Sequence, residues 1–274
     1  MKDLKVGLQL YSVREQMANN MEATLKAVKE MGYDYVEFVD YYGATPKQVK
    51  ELVDKYELCA VSAHRNPDII FENPDLQIEY LKTLGIKYSA IPWYTVNEYH
   101  ENWDGTIETF IKLGELLKKN GIKLMYHNHD FEFQKINGQY ILDKLYNTIP
   151  QDLFEPEFDT CWIKYAGADP VEYINRFSNR INVVHLKDFI CEKLGGGPVY
   201  ELIGQDKNKT TSQQDNGFKF KPVGKGCQDW KPIIEACRNS NAQYVIVEQD
   251  QWYDDDPLEC ARFSRAYLKD NFNI

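Results

Sequence analysis

Histidine is scarce in this chain, and four of its five copies close short apolar runs. His64 ends the run Leu58–His64, His127 and His129 end Lys123–His129, and His185 falls at the end of Ile181–Leu186. The fifth, His100, lies in a polar stretch and reads as a solvated residue. Acids occupy matching places: Asp159 follows Phe158, Glu248 follows Val245-Ile246-Val247, and Glu37 sits within Tyr35-Val36-Glu37-Phe38. A carboxylate inside an apolar strand is costly unless it is paired or binds a cation. Asp159, His185 and Glu248 come from three consecutive runs and form the core of a ligand set. Carboxylate oxygens with an imidazole suit a divalent metal of mixed hardness: Mn²⁺, Mg²⁺, Co²⁺ or Zn²⁺.

The fifth run reads Met125-Tyr126-His127-Asn128-His129-Asp130-Phe131-Glu132. With a period of two, His127 and His129 share a face, with Met125 below them. Either histidine can supply the fourth ligand, and Glu132 can serve as ligand or base. Lys187, two residues past His185, points the same way. An ammonium there can hold a substrate hydroxyl, stabilise an enolate or act as an acid; it can equally form a salt bridge to Asp159 or Glu132. Trp93, Tyr94 and Trp162 also follow strand tips, where aromatic faces stack on sugar rings or simply wall a pocket.

These residues need a scaffold that brings strand tips together. Strand candidates fall at Lys5–Tyr11, Tyr35–Val39, Leu58–His64, Lys87–Ile91, Lys123–His129, Leu153–Asp159, Ile181–Leu186 and Tyr244–Gln249. Helical patterns lie between them, near 18–31, 46–57, 74–84, 105–120, 139–148, 170–178, 229–238 and 257–270. Strict alternation predicts a parallel sheet with crossover helices. Thr45-Pro46, Asn73-Pro74, Asp169-Pro170 and Asp256-Pro257 each set a capping side chain before a proline at the first helical position, and Glu259 completes a capping box. Gly32, Gly85 and Gly121 follow helical patterns, where a left-handed residue is wanted. A doubly wound sheet advertises a phosphate loop after its first strand, and here Tyr11-Ser12-Val13-Arg14 contains no glycine. The expected fold is therefore a (β/α)₈ TIM barrel of α/β class, a single domain over residues 1–274, with active-site groups at the carboxyl ends of its strands. One connection is long, about 190–228 after the seventh strand, and reads as a functional lid or a disordered segment.

At 274 residues the chain matches one such barrel, for which about 250 residues suffice. The net charge of −10 argues against a nucleic-acid partner, whose affinity rests on clustered Lys and Arg. No apolar run approaches the roughly 18 residues of a membrane span. Six scattered cysteines without a CxxC pair suit neither a zinc finger nor a disulfide framework, so reduced thiols in the cytoplasm are expected; a leader removed before residue 1 stays open. A small-molecule partner is expected, and a homo-oligomer is left open.

The chain resembles the xylose isomerase-like barrels known as sugar phosphate isomerases/epimerases over nearly its full length. The resemblance is carried by Gly7-Leu8-Gln9-Leu10-Tyr11-Ser12, Tyr35-Val36-Glu37, Ser62-Ala63-His64, His185-Leu186-Lys187-Asp188, Val223-Gly224-Lys225-Gly226 with Asp229-Trp230, and Val247-Glu248. It implies a divalent metal, commonly Mn²⁺, held by acids on strands five, six and eight and a histidine on strand seven. Asp159, His185 and Glu248 match; His127 stands where the family has a glutamate that is both ligand and base. Trp162 replaces a substrate-binding histidine. The Tyr-His-Asn-His-x-x-Glu-Phe form of strand five resembles a branch linked to oxidised sugars, including lyases or hydratases of 3-keto-glycosides and inosose dehydratases.

The implied chemistry is proton abstraction next to a carbonyl, with the metal stabilising the enediolate and Glu248 or Glu132 as base. The activity expected is that of a sugar isomerase/epimerase, with Lys187 a further catalytic group. The substrate contacts expected are His64, His129, Trp93, Trp162 and Glu37. The alternative is a metal-dependent lyase acting by β-elimination on keto-sugars. Two further readings are an endonuclease IV-like nuclease and a sugar-binding barrel without catalysis.

Overall fold

The computed structural model describes residues 3–195 and 217–274. Eight strands close a barrel: β1 (Lys5–Gln9), β2 (Tyr35–Phe38), β3 (Cys59–His64), β4 (Tyr88–Ile91), β5 (Lys123–His127), β6 (Phe154–Asp159), β7 (Val183–Leu186) and β8 (Tyr244–Val247). Each pairs in parallel with the next, and β8 returns to β1 through Lys5↔Tyr244 to Leu8↔Val247. The expected (β/α)₈ barrel is thus the observed fold. Parallel strands covered on both faces must be apolar on both, which is why they stand out as continuous hydrophobic runs.

Outward side chains such as Val36, Leu124, Phe158, Val184 and Val247 pack under the helices, and a smaller cluster of Val61, Ala90, Met125, Val183 and Ile246 fills the barrel interior. Interior space is tight: a Cβ on Gly7 would lie 2.6 Å from the Cδ1 of Ile246. Two residues further along β5, β7 and β8 the inward positions become His127, His185 and Glu248. The apolar plug therefore forms the floor of a polar mouth.

The helices start where capping side chains were expected. Thr45 and Gln48 form a reciprocal capping box, and Asn73, Asp169 and Asp256 each accept backbone N–H bonds from the first turn. Glu259 is an exception to the expectation, since it pairs with Arg262 at 3.2 Å instead of completing a box. The first predicted helix is broken at Asn20, whose side chain caps Met21–Glu30, and a short helix at Thr160–Tyr165 was not anticipated. Among the described residues no helix is long and apolar enough to cross a membrane.

The connection after β7 leaves and returns as an antiparallel pair, Asp188–Ile190 with Lys219–Lys221; residues 196–216 of the expected lid lie outside the described residues. Asp188 ties this region together. Its Oδ1 accepts the N–H of Phe189 and Gln228 at 2.9 and 3.2 Å. Its Oδ2 accepts Gly224 N, Gly226 N and Trp230 Nε1 at 2.9, 3.0 and 3.0 Å. A Cβ on Gly226 would meet Asp188 Oδ1 at 2.0 Å, so only glycine lets the chain come this close. His185-Leu186-Lys187-Asp188 and the Gly224/Gly226 segment are thus two halves of one knot at the barrel mouth.

Candidate metal centre and substrate cavity

Four atoms from β5 to β8 converge at the carboxyl end of the barrel: His127 Nε2, Asp159 Oδ2, His185 Nδ1 and Glu248 Oε2. The four residues can each offer one ligand atom with all atoms within 4.8 Å of one another, and all four are buried. His127 Nε2 lies 3.6 Å from Asp159 Oδ2 and 3.8 Å from Glu248 Oε2, and His185 Nδ1 lies 2.9 Å from Glu248 Oε2. Asp159 divides its oxygens. Oδ1 caps the helix Thr160–Tyr165 by accepting Cys161 N at 2.8 Å and Trp162 N at 3.1 Å. Oδ2 is buried without a hydrogen bond among the described residues, its close neighbour being Lys187 Nζ at 3.0 Å. Two carboxylates and two imidazoles, all buried and with Asp159 Oδ2 ion-paired to Lys187, are the donor set a divalent cation of intermediate softness fits.

Lys187 sits beside these atoms, 2.9 Å from Glu248 Oε2 and 3.2 Å from Asp250. Of the two salt bridges open to it, it makes the one to Asp159. Burial alone would lower its pKa, yet Asp159, Asp250 and Glu248 raise it well above the ordinary lysine value, so it is a cation. Burial would raise Glu248, but Lys187 and His185 hold its carboxyl well below the usual range. Burial raises Asp250 to about 7 against the pull of Lys187. Burial, reinforced by neighbouring cations, lowers His127 and His129 well below the ordinary histidine value, which leaves both neutral and able to donate a lone pair.

Beneath this ring lies a second polar layer. His64 Nε2 is 2.8 Å from Glu157 Oε2 and 2.9 Å from Glu37 Oε1, and His185 Nε2 is 2.8 Å from the same Glu37 oxygen. Burial opposes protonation of His64, but these carboxylates raise it to about 10. Glu157 was not among the candidates because an inward acid is recognisable only with its partners, here on other strands; its place two residues before Asp159 was the available signal. Asp250, two residues after Glu248, was missed for the same reason.

Above the ring is a cavity of about 180 Å³ lined by Tyr11, Val39, His64, Pro92, Trp93, His127, His129, Lys187, Glu248 and Asp250. A larger hollow of about 690 Å³ on the outside, lined by Lys135, Tyr140, Asp143 and Arg176 among others, includes none of the clustered residues.

Three expected site residues are placed elsewhere. Glu37 is fully buried in the lower layer and does not line the cavity. Trp162, carried by the helix that Asp159 caps, does not line the cavity and stacks on Phe218 with centroids 5.6 Å apart. It backs His129 and Lys187 from outside the lining, its ring centroid 5.6 Å from that of His129 and 5.4 Å from Lys187 Nζ. Glu132 is turned outward by the 3₁₀ turn Phe131–Phe133. Its carboxylate accepts Tyr126 OH at 2.5 Å and His129 N at 2.7 Å, and neither oxygen reaches the cluster.

Burial raises Glu132 to about 8. An unfolded glutamate titrates near ~4.3, so the folded chain binds an extra proton between the two values. Its contribution to stability is therefore full below pH ~4.3 and is lost as pH rises through about 8. Glu132→Gln is expected to flatten this fall, which amounts to several kcal/mol between pH 4 and 9 for a shift of this size. Urea unfolding at three pH values measures it, and a variant with the wild-type slope would refute the assignment.

With fold and site in view, the chain belongs to the xylose isomerase-like TIM barrel family, which matches residues 25–270. It is 32% identical over 185 residues to an inosose dehydratase of Clostridium perfringens, covering 66% of this chain and 58% of that relative, so the match spans under two thirds of the relative's length. A crystal structure of a sugar phosphate isomerase/epimerase from Parabacteroides distasonis superposes with a TM-score of 0.77 at 22% identity, over 97% of this chain and 98% of that one. The IOLI protein, solved with a binding zinc atom, superposes with a TM-score of 0.70 at 17% identity, over 97% of each chain. These two likenesses concern the fold.

Proposed function

We propose that the protein is a divalent-metal-dependent lyase that removes water from a polyhydroxylated keto-sugar of the inosose type. The observation that carries the reading is the convergence of His127, Asp159, His185 and Glu248 on one point with Lys187 beside it. The curated relatives named inosose dehydratase favour elimination over the isomerase/epimerase chemistry expected first from sequence. A cation bound by those four residues supplies Lewis-acid polarisation of the substrate's carbonyl. Replacing the family's strand-five glutamate by His127 moves the donor set toward Mn²⁺, Co²⁺ or Zn²⁺ and away from Mg²⁺; Mn²⁺ remains our first choice.

The chain's own groups divide the remaining work. Glu248 takes the proton from the carbon next to the carbonyl, breaking that C–H bond. Lys187 donates a proton to the hydroxyl on the next carbon; the C–O bond breaks, water leaves and a C=C bond forms. Glu132, engaged elsewhere, is not the base. Asp250 retains Lys187 at the cavity wall when Asp159 and Glu248 are occupied with the cation. His64, His129 and Trp93 line the space for the ring, and a cavity of about 180 Å³ suits a single ring.

The test incubates Mn²⁺-loaded protein with a cyclic α-hydroxy ketone of the inosose type in D₂O. Loss of water with an enone or dione product is expected. Solvent deuterium in a substrate that keeps all its oxygens would return the assignment to isomerase/epimerase, and neither product nor deuterium would defeat both.

A further inference from the structure

Two of the imidazoles in the cluster each serve both polar layers. His185 turns Nδ1 up to Glu248 Oε2 at 2.9 Å and Nε2 down to Glu37 Oε1 at 2.8 Å. His127 turns Nε2 up toward Asp159 Oδ2 at 3.6 Å and Nδ1 down toward Glu157 Oε2 at 3.4 Å. An imidazole that donates one nitrogen to a cation carries its proton on the other, and the acceptor of that N–H sets both tautomer and ring direction. Neither His185 Nε2 nor His127 Nδ1 makes an aligned hydrogen bond among the described residues, but the lower layer sets carboxylate oxygens within reach of both and is itself held in place. Gln9 Nε2 donates to Glu37 Oε1 at 2.6 Å, and Ser62 Oγ donates to Glu37 Oε2. Glu37 is wholly buried and outside the cavity lining, and besides these two neutral donors it faces His64 and His185.

We propose that Glu37 is a positioning residue for the metal centre: it fixes the His185 tautomer that presents Nδ1 to the cation, with Glu157 in the same role beneath His127. The proposal rests on the metal-site reading above and adds residues that touch neither cation nor substrate. It also accounts for the two inward acids one layer apart on β6, where Asp159 belongs to the candidate ligand set and Glu157 faces the histidines.

The test is metal affinity, read by chelator competition with Mn²⁺ and Zn²⁺, alongside ring-nitrogen NMR of the histidines in the Zn²⁺-loaded protein. Glu37→Gln keeps the shape but sets an amide where His185 and Gln9 both bring N–H donors. Affinity is expected to fall roughly 10–100-fold, the usual loss when the hydrogen-bond partner of a ligating histidine is removed, and the His185 nitrogen signals are expected to move toward a mixture of tautomers. Ser62→Ala, which only loosens Glu37, is expected to shift both readouts in the same direction by a smaller factor. A folded Glu37→Gln protein with affinity within twofold of wild type and unchanged His185 signals overturns the proposal. If that variant does not fold, unchanged affinity and signals in Ser62→Ala overturn it instead. Wild-type protein that binds no divalent metal overturns both this and the metal site. Metal binding without elimination removes only the lyase reading and leaves this one standing.

Discussion

Asp159→Asn is expected to leave a folded barrel that has lost its metal and its turnover. The side chain does two separable things. Oδ1 caps the helix Thr160–Tyr165, which an asparagine oxygen does about as well as an aspartate oxygen. Oδ2 is the buried oxygen without a hydrogen bond, and in the variant an NH₂ group replaces it, aimed at Lys187 Nζ 3.0 Å away and at the cation. An anionic ligand is thereby exchanged for a donor that repels the ion. A loss of about 4 kcal/mol in transition-state stabilisation corresponds to roughly 10³-fold in rate. Melting temperature within a few degrees of wild type, metal affinity reduced at least ~100-fold and kcat/KM reduced ~10³-fold are the expected results. Calorimetric titration and steady-state assay measure them, and a variant that retains stoichiometric Mn²⁺ would remove Asp159 from the ligand set.

Asp188→Ala carries the largest expected effect on stability. Five N–H donors end on this one carboxylate, from Phe189, Gly224, Gly226, Gln228 and the Trp230 indole. Truncation leaves them facing a void that water fills only in part, and each buried unsatisfied donor costs about 1–3 kcal/mol. Allowing for partial rehydration, the expected loss is about 4–6 kcal/mol. At roughly 2–4 °C per kcal/mol for a domain of this size, the melting temperature falls by about 10–20 °C. Asp188→Asn, which still accepts from several donors, recovers part of it. A thermal melt of Asp188→Ala within 3 °C of wild type would show that the knot adds little to the fold.

The strands were legible because burial on both faces forces β2, β5, β7 and β8 to be apolar runs, and because proline and a capping side chain mark many helix starts. Residues on the last regular position of a strand could also be placed: His64, Asp159 and His185 project inward as a period of two requires. The period still holds one step beyond β7 and β8, for Lys187 and Glu248, but says nothing of a side chain carried on a following turn or helix. β5 stops at His127, and the 3₁₀ turn that follows directs Glu132 to Tyr126, although its place just beyond the strand kept it among the candidates. Trp162 is carried by the helix that Asp159 caps, which sets the indole beside His129 and Lys187 but outside the cavity lining. Glu157 and Asp250 went unnoticed since an inward acid is recognisable only when its partners are known, and those lie on other strands.

Asp188 and its five donors have a bearing on how this barrel can diversify. The chain departs after Ile190 and comes back at Lys219 as paired strands, with both ends fixed to the rim. For a closed loop in general a doubling of length costs only about 0.6 kcal/mol, so a change of length between these anchors would leave the folding balance nearly intact. Such changes would leave His127, Asp159, His185 and Glu248 where β5 to β8 put them. The candidate ligands are in that sense insulated from the length of this connection.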